Sequence, residues 1–420
     1  MLGLDFGTTN SAIAVARPGE LPRLARFGDG APTFRSILHV DPEEADEGGL
    51  PPRITAGVAA IATWVESGGR GRLIQSIKSH LASRGFTATD LFGRRYRLED
   101  LVAIVLRELG RAAAAQLGVD LAATPVVIGR PVRFASARDA DDETFALARL
   151  EEALRQAGFG PVTFELEPIA AAWGYRERLD HDELVLIGDF GGGTSDFTLV
   201  RLGPAATEIL GVDGVARAGD AFDARLVRRV AAPGLGLGSQ RRTAFGRELP
   251  VPGWLYDQVE RWEQLSFLKS RETSELLRRL RGEALEPEKI AALVHLVEDD
   301  LGFALHGAIE GTKQALSRLD AAPFRFADGP IALASTVPRA DFEAWIEPEL
   351  ERMAACVDDL LARGGVAPAD VATVFLTGGS SFVPAVRRVF ADRFGAERLR
   401  GGEELTTVAT GLALRGRAAA

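Results

Sequence analysis

The feature that most constrains this chain is a strand–turn–strand phrase written twice. Residues 1–16 read Met1-Leu-Gly-Leu-Asp-Phe-Gly-Thr-Thr-Asn-Ser-Ala-Ile-Ala-Val-Ala, and residues 185–200 read Val185-Leu-Ile-Gly-Asp-Phe-Gly-Gly-Gly-Thr-Ser-Asp-Phe-Thr-Leu-Val. Asp5 and Asp189 hold the same place in the two copies, 184 positions apart. Each copy is an apolar strand ending in Asp-Phe-Gly, a Gly/Thr turn and a β-prone strand. Two related hairpins half a chain apart predict a duplicated fold with a ligand between the copies. The alternative is coincidence between two ordinary glycine-rich hairpins.

The rest of the chain alternates strands and helices, the α/β pattern. Glu99–Leu117 carries a helical stripe at Leu101, Val102, Val105, Leu106 and Leu109. Pro125–Gly129 reads as a buried strand, and Ala146–Ala157 as a helix stopped by Gly158. In Glu167-Pro-Ile-Ala-Ala a proline opens a helix. From Pro233 to Pro287 the chain is richer in Gly, Pro and Arg and less periodic, which predicts a variable subdomain followed by one helix from Ala291 to Leu319. The tail predicts a helix over Pro348–Arg363, a strand over Val371–Thr377, a Gly-Gly turn, a helix over Val383–Phe394 and a last helix over Val408–Arg415.

Composition narrows the function classes. With 420 residues the chain is too long for one ordinary core, and 46% hydrophobic with 26% charged residues is a globular balance. The single cysteine, Cys356, excludes an internal disulfide and a cysteine-built zinc site, so a reducing, cytoplasmic setting is expected. The longest charge-free run, Val371–Val386, is interrupted by Gly378, Gly379 and Pro384, and Asp5 leaves no room for a signal peptide; neither a membrane nor a secreted protein is expected. A net charge of -10 argues against nucleic acid as partner. Of 49 basic residues only Lys78, Lys269, Lys289 and Lys313 are lysine, so a position still occupied by lysine calls for a compact ammonium rather than a planar fork. The five histidines are scattered without metal spacing, and the runs Asp41–Glu47 and Arg278–Arg281 read as solvated faces.

Three glycine elements carry the chemistry. In the first hairpin the Gly7–Thr9 backbone can converge on phosphate oxygens, Thr8 and Thr9 add hydroxyl donors, and Asp5 can hold the waters of a magnesium ion; an ordinary hairpin with a capping Asp is the alternative. In the second, Gly191, Gly192 and Gly193 weaken a hairpin entropically, so something should require that bare backbone, and a phosphate fits. Asp189 would mirror Asp5 across the metal, with Thr194 and Asp196 beside it. The third element, Phe375–Pro384, follows a strand and opens a helix; its Gly378-Gly379 turn suits close approach of a nucleoside or is a plain strand-to-helix turn. No Gly-Lys dipeptide exists, which excludes a P-loop.

In this order the pieces resemble the ATPase domain of the DnaK-type heat-shock chaperones, the heat shock protein 70 family, over about residues 1–415. The motifs are Leu4-Asp-Phe-Gly-Thr-Thr-Asn10-Ser, Asp189-Phe-Gly-Gly-Gly-Thr-Ser-Asp196 and Leu376-Thr-Gly-Gly-Ser380-Ser-Phe382-Val-Pro. Val127-Ile-Gly-Arg-Pro-Val-Arg-Phe and Glu167-Pro-Ile-Ala-Ala bring it closest to a short bacterial subgroup, the YegD-like proteins. The resemblance implies a duplicated actin-like fold of the ribonuclease H-like type, with two lobes around a nucleotide cleft. The expected division is residues 1–181 (smaller subdomain about 35–120), residues 182–397 (variable subdomain about 229–327) and a C-terminal helix within 398–420.

The resemblance also implies roles. Lys78, in Ser76-Ile-Lys-Ser, matches the segment of the family's catalytic lysine; Glu167 matches the acidic residue that positions attacking water. Glu310, Lys313 and Ser317 match the helix that contacts the ribose. ATP/ADP and Mg2+ are the implied ligands, with K+ a further candidate. Phe382 stands where the family has an arginine stacked on adenine, and an aromatic ring can stack instead. Because the sequence ends at Ala420, no peptide-binding domain is expected, and a monomer with an unnamed protein partner or client is. The competing readings are a nucleotide switch with little hydrolysis, an actin-like filament former and a sugar kinase.

Overall fold

The structure is a computed structural model that describes all residues except 43–50, 68–69, 177–178, 205–206, 216–218, 244, 262–267, 269, 402–406 and 420. The acidic run Asp41–Glu47 lies outside the described residues from Glu43 on. The chain forms two compact units. One comprises Met1–Ala218, Glu351–Phe382 and Val386–Ala420; the other comprises Gly219–Leu350 and Val383–Ala385.

The first unit holds the duplication. β1 (Leu2–Asp5) and β2 (Asn10–Val15) form the first hairpin, with Asp5 opposite Ala12. β3 (Val126–Arg130) runs parallel to β1, and β4 (Val162–Leu166) parallel to β3. In a second sheet β5 (Glu183–Phe190) and β6 (Ser195–Leu202) form the other hairpin, and β7 (Thr207–Val215) extends it. β8 (Thr373–Thr377) and then β9 (Leu399–Arg400) add in parallel on the β5 side. The orders β4-β3-β1-β2 and β9-β8-β5-β6 are the same construction twice, so the sequence echo is an echo of topology.

Helices position these strands. α1 (Leu98–Leu117) buries the five stripe residues from Leu101 to Leu109. It starts where Asp100 accepts a hydrogen bond from the Arg97 amide and stops at Gly118, φ 63°. α2 (Ala140–Ala157) begins six residues earlier than the apolar pattern suggests, because Asp139 caps it by accepting from the Asp142 amide at 2.9 Å. It ends at Gly158 as expected. α3 (Glu167–Arg176) follows β4 directly. α4 (Thr407–Ala419) lies against β1 and α3, close enough that a Cβ at Gly3 would reach 2.9 Å from Ala413 Cα, and one at Gly411 2.6 Å from the Ala170 carbonyl carbon. Ala409, Leu412 and Ala413 are fully buried there.

The second unit is helical with two hairpins, Gln240–Arg242 with Glu248–Pro250 and Ala321–Asp328 with Ile331–Pro338. Two expectations are corrected. The single helix from Ala291 to Leu319 is two, Pro287–Glu298 and Gly302–Leu316. They break at Asp299-Asp300, where Asp300 turns left-handed (φ 54°) and acidic groups oppose continuation past the negative end of a helix. The helix expected to start at Pro348 runs from Arg339 to Gly364 with Pro348 inside it. The irregular stretch also contains a regular helix, Arg271–Glu283, capped by Ser270. Arg278, Arg279 and Arg281 lie on its exposed face.

Candidate functional site

The first hairpin places Asp5 at the end of β1. Gly7 is obligatory for the turn, since a Cβ there would press on the backbone carbonyl of Asn10. The turn is tied down by the Ser36 amide donating to Thr9 (2.9 Å), by Arg35 donating to Asn10 Oδ1 (3.3 Å) and by the buried Ser11–Ser36 hydroxyl pair (2.8 Å). Thr8 sits in this turn, half-buried.

In the second hairpin Asp189 and Asp196 face each other across β5 and β6. The Gly191 amide closes the turn on the Thr194 carbonyl at 3.0 Å, and the Thr194 hydroxyl donates to Asp196 Oδ2 at 3.0 Å. Asp196 is buried, and its other oxygen has no hydrogen-bond partner among the described residues. Gly214 on β7 makes room for that oxygen; a Cβ there would stand 2.7 Å from it. Gly191 and Gly193 differ from Gly7. Neither has a left-handed φ, and a Cβ would meet only ordinary contacts, Thr194 O at 3.5 Å and Ser79 Oγ at 3.8 Å. The fold does not demand glycine at either position.

Beside β5, β8 ends at Thr377, opposite Asp189. Gly378 follows with φ 84° against the Phe190 backbone. A single 3-10 turn, Gly379–Phe382, comes next, with Ser381 donating to the Gly378 carbonyl at 2.7 Å. Ser380 is buried, Gly379 has open space and the Phe382 ring is 46% exposed.

Lys78 reaches the same region from a 3-10 turn, Ile77–His80, entered through the left-handed Ser76 (φ 52°). Its ammonium is buried and donates to Glu167 Oε1 at 2.6 Å. Glu167 is the first residue of α3, where the helix dipole favours a carboxylate, and Gly129 on β3 clears its path. Burial, with Glu167 and Asp189, holds the Asp5 carboxyl well above the usual carboxylate range, against the pull of Lys78. Burial, Glu167 and Asp196 push Asp189 up to about 8. Burial and Glu167 push Asp196 to about 7. Burial opposes the charge on Lys78, but Glu167, Asp5 and Asp189 outweigh it and raise its pKa. The structure therefore gathers Asp5, Lys78, Glu167, Asp189, Thr194 and Asp196 into one electrostatic unit.

This cluster has four carboxylates to one ammonium, so it is short of positive charge. Its donors are hard oxygens, one of them orphaned. Among the described residues no three acidic or histidine side chains stand close enough to ligate a metal directly. A hydrated divalent cation bridged through its waters fits this donor set.

The remaining expected residues lie in the second unit. Glu310 and Lys313 are on Gly302–Leu316, and Ser317 caps its end. Lys313 donates to Asp223 Oδ2 at 2.6 Å and to the Gly219 carbonyl at 3.4 Å, while Glu310 Oε1 accepts from Gln314. Asp223 escaped sequence reading. The family resemblance pointed to Lys313, but its partner is 90 positions away, with no spacing to betray it.

The model of a family described as Hsp70 protein matches residues 73–233 and 302–419. The chain belongs to the Hsp70 family. Its fold is accordingly the actin-like ATPase fold, and Hsp70 proteins bind ATP, act as ATPases and work as chaperones. The matched stretches contain Lys78, Glu167, the second hairpin turn, Glu310 to Ser317 and the Gly378–Phe382 turn. No helix of the described residues is long and apolar enough to cross a membrane.

Proposed function

We propose that this Hsp70-family chain is a slow, magnesium-dependent ATP phosphohydrolase of the YegD-like kind, a cytoplasmic monomer in which nucleotide drives lobe closure and so engages a protein partner. The reading is carried by one observation: the buried Lys78–Glu167 pair, 2.6 Å apart, stands amid Asp5, Asp189 and Asp196. Glycines at 191 and 193 that the fold itself does not require support the approach of a phosphate to that turn.

In this reading Asp5, Asp189 and Asp196 hold a hydrated Mg2+, which when bound neutralises phosphate charge. The turn amides at Gly7–Asn10 and Gly191–Thr194 cradle the phosphates, with the Thr8, Thr9 and Thr194 hydroxyls as donors. Lys78 places its ammonium against the γ-phosphoryl oxygens as negative charge develops there. Glu167, fixed through one oxygen by Lys78, accepts a hydrogen bond from the attacking water with the other and so orients it. Glu310, Lys313 and Ser317 take the ribose, and Gly378, Gly379, Ser380 and Phe382 the base side. Such catalysis is positioning plus electrostatic stabilisation.

The test is ATP affinity and phosphate release for wild type, Lys78→Ala and Glu167→Gln. Loss of Lys78 should remove about 3 kcal/mol of transition-state stabilisation, roughly 100-fold in turnover, with nucleotide still bound. Wild-type turnover in Lys78→Ala would refute its role. Tight binding with no single-turnover phosphate release in the wild type would identify a nucleotide switch instead.

A further inference from the structure

One buried cation of the first unit has no part in the reading above. Arg149, on α2, is 4% exposed. Its Nε donates to Glu99 Oε1 on α1 at 2.7 Å, and its guanidinium lies 5.1 Å from the Phe145 ring. The other two nitrogens reach a single stretch of chain. Nη1 donates to the carbonyls of Leu81 (3.3 Å), Ser83 (3.2 Å) and His80 (3.5 Å), and Nη2 to that of Phe86 (3.1 Å). That stretch begins at the end of the turn bearing Lys78 and has neither helix nor strand until Ala88. The His80 carbonyl also accepts from the Ser83 amide (3.0 Å), whereas those of Leu81, Ser83 and Phe86 stand outside any helix or strand ladder, and carbonyls buried without donors are costly. A guanidinium can serve several at once because its donors form a rigid fork. Arg84 fastens the same stretch to Asp142 on α2 (2.7 Å), and Ser136 donates to the Ser79 carbonyl within the turn itself (2.5 Å).

We propose that Arg149 is a positioning residue for Lys78: it pins residues 80–86 to α1 and α2, and thereby sets where the turn delivers the Lys78 ammonium. The proposal rests on the role given to Lys78 above for its kinetic consequence, but not for its structural one. A strand, Arg72–Ile74, holds the chain before the left-handed serine, but on the far side of the turn no strand begins until Ala88, so there its placement depends on what holds the stretch behind it. Loosening that stretch frees Lys78 from Glu167 without touching either residue.

The experiment uses Arg149→Met and Arg149→Lys in the full chain. Arg149→Lys keeps a charge beside Glu99 but cannot span four carbonyls, so it serves where the methionine variant fails to fold. Without nucleotide, amides 79–86 should exchange at least tenfold faster than in wild type, with the core amides of Leu106 and Leu150 unchanged. Acetylation of Lys78 by a small anhydride, read by mass spectrometry against Lys313 in the same sample, should rise at least tenfold. In ATP turnover, kcat should fall at least tenfold with KM within twofold, and Arg149→Lys added to Lys78→Ala should change kcat less than twofold. Unchanged exchange and labelling would overturn the proposal, as would acceleration spread evenly through α1 and α2 or a kcat loss that persists without Lys78. Absence of turnover in the wild type would count against the proposed function alone and leave exchange and labelling to decide the role of Arg149.

Discussion

Replacing Gly378 by alanine should damage the fold at the point where the second hairpin meets its neighbouring strand. At φ 84° the residue is in the left-handed region, which costs an L side chain about 1–2 kcal/mol. The new Cβ would also stand 2.7 Å from the Phe190 carbonyl carbon and 2.9 Å from its nitrogen, and closer still to its oxygen. Carbon contacts are comfortable at about 3.5–4.0 Å, so backbone must move. Phe190 cannot turn aside as a side-chain end could, because β5 is held on both edges by β6 and β8. Overpacking of this kind adds about 1–3 kcal/mol, for a total of about 2–5 kcal/mol. Gly379 is the internal control: its φ is not left-handed, and a Cβ would meet nothing within 4 Å. Gly379→Ala should be neutral or slightly stabilising, within about 1 kcal/mol. Urea unfolding followed by circular dichroism, compared at constant m-value, measures both. Phe190 follows Asp189, so a shift of about 1 Å there should also cost turnover on the order of 100-fold. Equal stabilities for the two variants would refute the reasoning, because chemistry and sequence neighbourhood are shared and only the surroundings differ.

Two further outcomes follow from the charge cluster. Removing one partner of the buried Lys78–Glu167 pair leaves the other desolvated, so Lys78→Met should destabilise by about 3–5 kcal/mol, whereas Lys78→Met with Glu167→Gln should recover more than about 1 kcal/mol of it in a urea-unfolding cycle; strict additivity would show that the two do not act as a pair. Asp196 has its pKa raised from 3.8 to about 7 in the fold, so the folded state binds more protons than the unfolded one between those values and stability falls as pH rises through that window. Without cation, Asp196→Asn should therefore gain up to about 4 kcal/mol over wild type near pH 8, shrinking toward zero near pH 4; a pH-independent difference would mean that the carboxyl is not held neutral by its surroundings.

The duplication was legible because a hairpin keeps its whole signature within sixteen residues, and both the echo and the parallel strand added to each hairpin survive into the two sheets. The helical stripe at Leu101–Leu109 was legible for the same reason. What local pattern could not supply were breaks and long-range partners. The apolar period from Ala291 onward continues through Asp299 and Asp300, so the break there is set by charge and by one left-handed residue, not by periodicity. Pro348 read as a boundary, yet the helix passes through it.

Glycine was half legible. Sequence marks Gly191, Gly193 and Gly378 alike, but only at Gly378 does the surrounding backbone forbid a side chain. This contrast separates glycines that build the site from glycines that leave room in it. The same division runs through the cations. Lys78 and Lys313 are largely buried point charges, each set against a carboxylate at 2.6 Å, whereas Lys289 pairs with Glu286 nearer the surface. Arg149, equally buried, spreads its fork over four backbone carbonyls and one carboxylate. In a chain that otherwise favours arginine, the two buried lysines stand where one concentrated charge sits against carboxylates, and Arg149 where several acceptors are spanned. If that division governs the site, Lys78→Arg should not restore what Lys78→Ala loses, because a planar fork cannot enter the space that a single ammonium occupies beside Glu167; turnover of Lys78→Arg near the wild-type value would show that charge alone, and not its compactness, is what the position requires.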